Sequence, residues 1–112
     1  MNFATQLSPN YATAWYNLGN AYARLNLFNE AIKYYKTAVS IDPNYIDALI
    51  NIGNCYGASQ NSREAITYYE KVLSLDPFNK NALTNITTSY KLLGEEKKAE
   101  EYSKLIRNDL MK

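Results

Sequence analysis

Apolar and small residues recur along this chain with two periods at once. The short one is helical. Ala14, Trp15, Leu18, Ala21, Tyr22 and Leu25 fall at i, i+1, i+4, i+7, i+8 and i+11, the stripe of an amphipathic helix. After a break at Asn26 to Asn29, the residues Ala31, Ile32, Tyr35, Ala38 and Val39 repeat that spacing. The long period is 34 residues. The slots of Trp15, Leu18, Gly19, Tyr22, Ala31, Tyr35, Ala38 and Pro43 are refilled by Leu49, Ile52, Gly53, Tyr56, Ala65, Tyr69, Val72 and Pro77. A third pass holds Leu83, Ile86, Thr87, Tyr90, Ala99, Ser103 and Ile106. One helical hairpin cannot bury its apolar face alone, so a fixed period of this size predicts hairpins stacked on their neighbours.

The expected boundaries follow from the punctuation. Asn29 or a neighbour is expected to cap the second helix, with Glu30 near its positive end. Asp42-Pro43-Asn44 stops that helix, and Pro43 is placed to open the next one. Ser62-Arg63-Glu64 reads as another start. Gly19 and Ala38 are small where the paired helices are expected to cross. Residues 1–11 read as the remnant of a preceding repeat, from Ala4, Leu7 and Pro9, so the chain is expected to be a piece of a longer one. Full repeats then occupy 12–45, 46–79 and 80–112. In the third, Ile32/Ile66 become Glu100, Tyr35/Tyr69 become Ser103 and Val39/Leu73 become Arg107. That polar replacement predicts a capping helix over residues 95–109, and Thr87 in the glycine slot predicts a slightly wider crossing.

Composition narrows the function. Lys plus Arg is 12 and Asp plus Glu is 11, so no net field points to nucleic acid or anionic membrane. There is no histidine, which removes the commonest general base and most zinc sites. One cysteine cannot form an internal disulfide and suits a reducing compartment, cytoplasmic or nuclear. No signal peptide or apolar run of membrane-spanning length is present. Cys55 shares a slot with Ala21 and Ser89 and reads as a small packing residue. Glu95, Glu96, Glu100 and Glu101 alternate with Lys97, Lys98 and Lys104 as helical ion-pair partners rather than catalytic carboxylates. The acceptor triplet Asn85-Ile86-Thr87 is expected mid-helix, where it is no glycosylation site. No enzyme activity, cofactor or metal is expected.

The spacing Trp-x2-Leu-Gly-x2-Tyr, then Ala-x3-aromatic, then Ala and Pro, resembles the tetratricopeptide repeat over nearly the whole chain. The resemblance implies an all-α, right-handed α-solenoid of antiparallel hairpins whose first helices line a concave surface holding an extended peptide. Carried over by position, the groove would show Thr13, Tyr16, Asn17, Asn20 and Arg24, then Asp47, Ile50, Asn51 and Asn54, then Asn81, Thr84, Asn85, Thr88 and Lys91. Asn17, Asn51 and Asn85 form a ladder of carboxamides, each able to donate to and accept from a peptide bond; a purely structural role is the alternative. Tyr16 is the tyrosine expected to reach the groove.

Three functions remain open on this reading. The first is a protein-interaction module that binds a peptide or helix. The second is the substrate arm of an enzyme similar to O-linked N-acetylglucosamine transferases, whose arms carry a like ladder. The third is a scaffold that self-associates through an open N-terminal end bearing Phe3 and Leu7. The chaperone-tail-binding branch of the family is disfavoured. It needs cations where this chain has Thr13, Asn81 and Asn85, and without them a carboxylate clamp loses its charge-assisted bonds.

Overall fold

The computed structural model describes residues 10–110. They form six helices and, among the described residues, no strand: α1 (Asn10–Arg24), α2 (Phe28–Ile41), α3 (Ile46–Ala58), α4 (Ser62–Leu75), α5 (Lys80–Leu92) and α6 (Glu96–Leu110). Consecutive helices pack on one another throughout, and α3 also touches α5. No comparable contact joins α2 to α4 or α4 to α6, so α3 and α5 lie on the shorter, inner arc, and α1 joins it through the bonds of Asn51 to Asn20 and Tyr16. The radius of gyration, 15.2 Å, exceeds the roughly 13 Å of a compact chain this long. The molecule is a stack of hairpins rather than a closed bundle.

Each hairpin turns by one device. Asn26, Gln60 and Gly94 lie 34 residues apart and all have positive φ, at 61°, 66° and 78°. The next amide donates back to the carbonyl of Tyr22, Tyr56 or Tyr90 at 3.0, 2.8 and 2.9 Å. This left-handed residue, with its backward bond, satisfies carbonyls the helix end would leave bare. The second helix then starts without help from Asn29: its N-cap is Leu27, which makes no side-chain cap bond. Between hairpins, Asp42 and Asp76 each accept an i+3 amide, from Tyr45 at 3.1 Å and Asn79 at 3.0 Å. Pro43 thus sits inside a turn and opens no helix; α3 begins three residues later. Asn79 does cap its helix, its side-chain oxygen accepting from the Ala82 amide at 2.9 Å.

The core is a column of repeat-related clusters. Ala31, Ile32 and Tyr35 of α2 pack on Ile52 and Cys55 of α3, and Ala65, Ile66 and Tyr69 of α4 pack on Ile86 and Tyr90 of α5. A stacked ring pair ties the two helices of each hairpin: Tyr22 on Tyr34, Tyr56 on Tyr68 and Tyr90 on Tyr102, with centroids 5.1 to 5.8 Å apart. The stripe expected on α1 departs from its copies. Ala14, Ala21 and Leu25 are exposed and Leu18 is 38% exposed, whereas Ala48, Ile52 and Cys55, the copies of Ala14, Leu18 and Ala21, are buried. In α3 that face is covered by α2; among the described residues nothing lies against it on α1. Phe3 and Leu7 lie outside the described residues. The triplet Asn85-Ile86-Thr87 lies within α5, with Ile86 and Thr87 buried.

Candidate functional site

The inner arc is built on a close approach between helices. A Cβ added to Gly19 would stand 2.6 Å from the Tyr35 ring, and one on Gly53 would stand 2.6 Å from the Tyr69 ring. Glycine therefore lets a tyrosine from the second helix lie flat against the first. The small residue expected to face Gly19, Ala38, instead packs with Ala12 and Ala48. Through these gaps the hydroxyls reach the inner surface: Tyr35 donates to Asn20 Oδ1, and Tyr69 donates to Asn54 Oδ1 at 2.6 Å. The next hairpin closes each relay. Asn51 Nδ2 donates to Asn20 Oδ1 at 3.1 Å and also lies 3.3 Å from the Tyr16 hydroxyl. Asn85 Nδ2 donates to Asn54 Oδ1 at 3.0 Å. Burial, reinforced by nearby Cys55, pushes the Tyr35 and Tyr69 hydroxyls up to about 12, so both remain protonated donors at neutral pH.

Above each relay opens a cup. The first, about 550 Å³, is lined by Asn20, Ala23, Arg24, Phe28, Tyr35, Asn51, Asn54, Cys55 and Ala58. The second, about 230 Å³, is lined by Asn54, Gly57, Tyr69, Asn85, Thr88, Ser89 and Leu92. Every residue of the second is the 34-residue copy of one in the first, and Asn54 belongs to both, so the two are adjacent, repeat-related hollows. Burial pushes the Cys55 thiol up to about 11, which leaves it an un-ionised part of the wall. A second repeat-related pair of hollows lies on the other side, lined mainly from α2, α4 and the inter-hairpin turns: one by Val39, Pro43 and Leu49, the other by their copies Leu73, Pro77 and Leu83.

The residues expected to line the groove separate into groups. Asn20, Arg24, Asn51, Asn54, Asn85 and Thr88 line the cups. Asn17, Asp47, Asn81 and Lys91 are exposed but line neither cup, as do Thr13 and Thr84. Ile50 is only 6% exposed, packed with Leu49, Val72 and Ala82, which removes it from the inner surface. Tyr16 is half-buried between the Tyr35 and Tyr45 rings, with its hydroxyl on Asn51. The ladder is therefore uneven: Asn51 and Asn85 are tied to side chains of the preceding hairpin, while Asn17 stands exposed. Tyr35, Tyr69 and Phe28 were missed. The pairing of a tyrosine with a glycine 16 residues earlier, broken together at Thr87 and Ser103, was the available signal for the first two.

Comparison with known proteins agrees with this architecture. The tetratricopeptide repeat profile matches residues 12–45 and 46–79. A crystal structure of MamA protein superposes with a TM-score of 0.81 at 30% identity, covering 84% of this chain and 51% of that one. A second MamA crystal structure gives 0.83 at 29%, covering 90% and 59%. The Sgt2 TPR domain from Aspergillus fumigatus gives 0.80 at 24%, covering 85% and 63%, and shares the fold. The chain thus spans between half and two thirds of the length of these structures. A comparison with curated proteins finds no match. No helix among the described residues is long and apolar enough to cross a membrane. Two matched repeats, joined to six helices in a hairpin stack, establish that the chain belongs to the tetratricopeptide repeat family, a fold that serves protein interaction.

Proposed function

We propose that the chain binds an extended segment of a partner protein along the trough formed by the two cups. The observation that carries this reading is the repeat relation of the cups through the shared Asn54. An extended peptide advances about 3.3 Å per residue and presents its groups at regular intervals, so regularly spaced carboxamides suit its backbone. Because Asn51 and Asn85 are tied to the preceding hairpin, the trough is preorganised, and little side-chain entropy is lost on binding. With few aromatic or charged anchors, affinity from this trough alone is modest.

The test is to pan the immobilised chain against a displayed library of random 12-residue peptides and titrate enriched peptides into 15N-labelled protein. The expected result is movement of the side-chain amide signals of Asn20, Asn54 and Asn85. Failure to enrich any peptide, or shifts confined to the outer helices around Thr37 and Thr67, would remove the proposal.

A further inference from the structure

The two cups are copies in position but not in chemistry, and the difference is concentrated at one end. Along the repeat, Arg24 corresponds to Ala58 and Leu92, and Phe28 corresponds to Ser62 and Glu96. Neither Arg24 nor Phe28 is thus required by the hairpin plan, yet both line the first cup, which has about twice the volume of the second. Among the described residues Arg24 makes no salt bridge; the pair that does form is Arg63–Glu95 at 3.9 Å. No acidic side chain lines the first cup, whose other walls are Ala23, Phe28, Cys55, Ala58 and the relay residues. The second cup carries no charged residue.

An exposed guanidinium at the mouth of a partly apolar hollow is matched by a side chain with an aliphatic stem and an anionic tip. The stem covers Phe28 and Ala58, while the tip takes a charge-assisted, two-pronged hydrogen bond from Arg24. Lysine-like or neutral tips leave the arginine unsatisfied or repelled. We infer that the first cup is a specificity pocket for a carboxylate side chain, glutamate above all, and that the second cup accepts a small neutral residue. The inference rests on the trough reading above and adds a polarity to it: a bound segment is fixed in direction by which of its residues is acidic.

The test compares the 12-residue peptides selected on the wild-type chain with those selected on Arg24→Glu. The wild-type set should be enriched in Glu or Asp at one position, and that position should turn to Lys or Arg on the variant. For one selected peptide, Glu→Gln should weaken binding on the order of tenfold at low salt, with the gap shrinking as salt rises. Arg24→Gln should abolish the gap while leaving the melting temperature in place. Peptides that shift the Asn20 and Asn54 signals but show no acidic preference, or one unchanged by Arg24→Glu, would overturn the pocket and leave the trough standing. A library that yields no binder at all would overturn both.

Discussion

At the scale of the residue, the inner surface depends on which side chains are absent. Gly53 is needed because the Tyr69 ring fills the space a Cβ would take, and the ring cannot withdraw without leaving its bond to Asn54. Gly57, one turn later on the same helix, has nothing within 4 Å of its added Cβ. Gly53→Ala should therefore destabilise the chain by about 1–3 kcal/mol through overpacking. Gly57→Ala should stabilise it by about 0.5–1 kcal/mol through reduced chain entropy. Urea unfolding of the two variants checks both signs. The buried hydroxyls predict a pH response as well. Below about pH 10, where a solvated tyrosine keeps its proton, Tyr35 and Tyr69 contribute their full stability. As pH rises from there through about 12, the unfolded chain loses protons that the folded one retains, and stability falls. Tyr35→Phe should melt lower than wild type at pH 8 but show a shallower decline above pH 10, measured as melting temperature against pH.

Among elements, the hairpin turn recurs with three different residues in one left-handed conformation. Gly94 adopts it freely, Asn26 at small cost, and Gln60 at a cost of about 1 kcal/mol because its Cβ crowds the following carbonyl. Gln60→Gly should recover most of that amount, and Gly94→Ala should lose a similar amount; thermal melts of the pair settle it. The side-chain cap expected from Asn29 or a neighbour is not made, because this turn hands the chain straight into α2 at Phe28, with Leu27 at the N-cap and Asn29 inside the first helical turn. Local sequence marks such a start by composition, whereas the turn geometry decides which residue stands at the boundary.

For the whole molecule, stability comes from faces laid against neighbours. Ile32 and Ile66 are each 7% exposed where α2 and α4 cover the next hairpin, while the corresponding Glu100 on α6 is exposed. Rebuilding the Glu100 and Ser103 slots of that face takes three changes, because a tyrosine at 103 needs the glycine its counterparts have at 19 and 53. Thr87→Gly with Glu100→Ile and Ser103→Tyr should let α6 dock on the exposed Ala14, Leu18 and Ala21 face of a second copy. Such a contact is head-to-tail and does not close, so light scattering should show a mass that keeps rising with concentration. A mass that stays monomeric would mean α6 lacks the docking geometry of α2 and α4. Ser103→Tyr without Thr87→Gly should simply destabilise.

The period of 34 and the helical stripes within it determined the hairpins, their antiparallel pairing and most of the buried residues, since burial in a repeat stack is dictated slot by slot. The period alone did not say which face is the inner one; Asn20, Asn51, Asn54 and Asn85 were expected there only through the resemblance to the tetratricopeptide repeat. Only the tertiary structure decided what those carboxamides do. Tyr35 and Tyr69 reach them from another helix through the space at Gly19 and Gly53, and the next hairpin supplies the second half of each bond. Exposure was decided the same way: Ala14 and Ala48 share a slot, yet only Ala48 has a neighbouring hairpin to cover it among the described residues. Slot identity is a property of the chain, whereas contact is a property of two surfaces meeting.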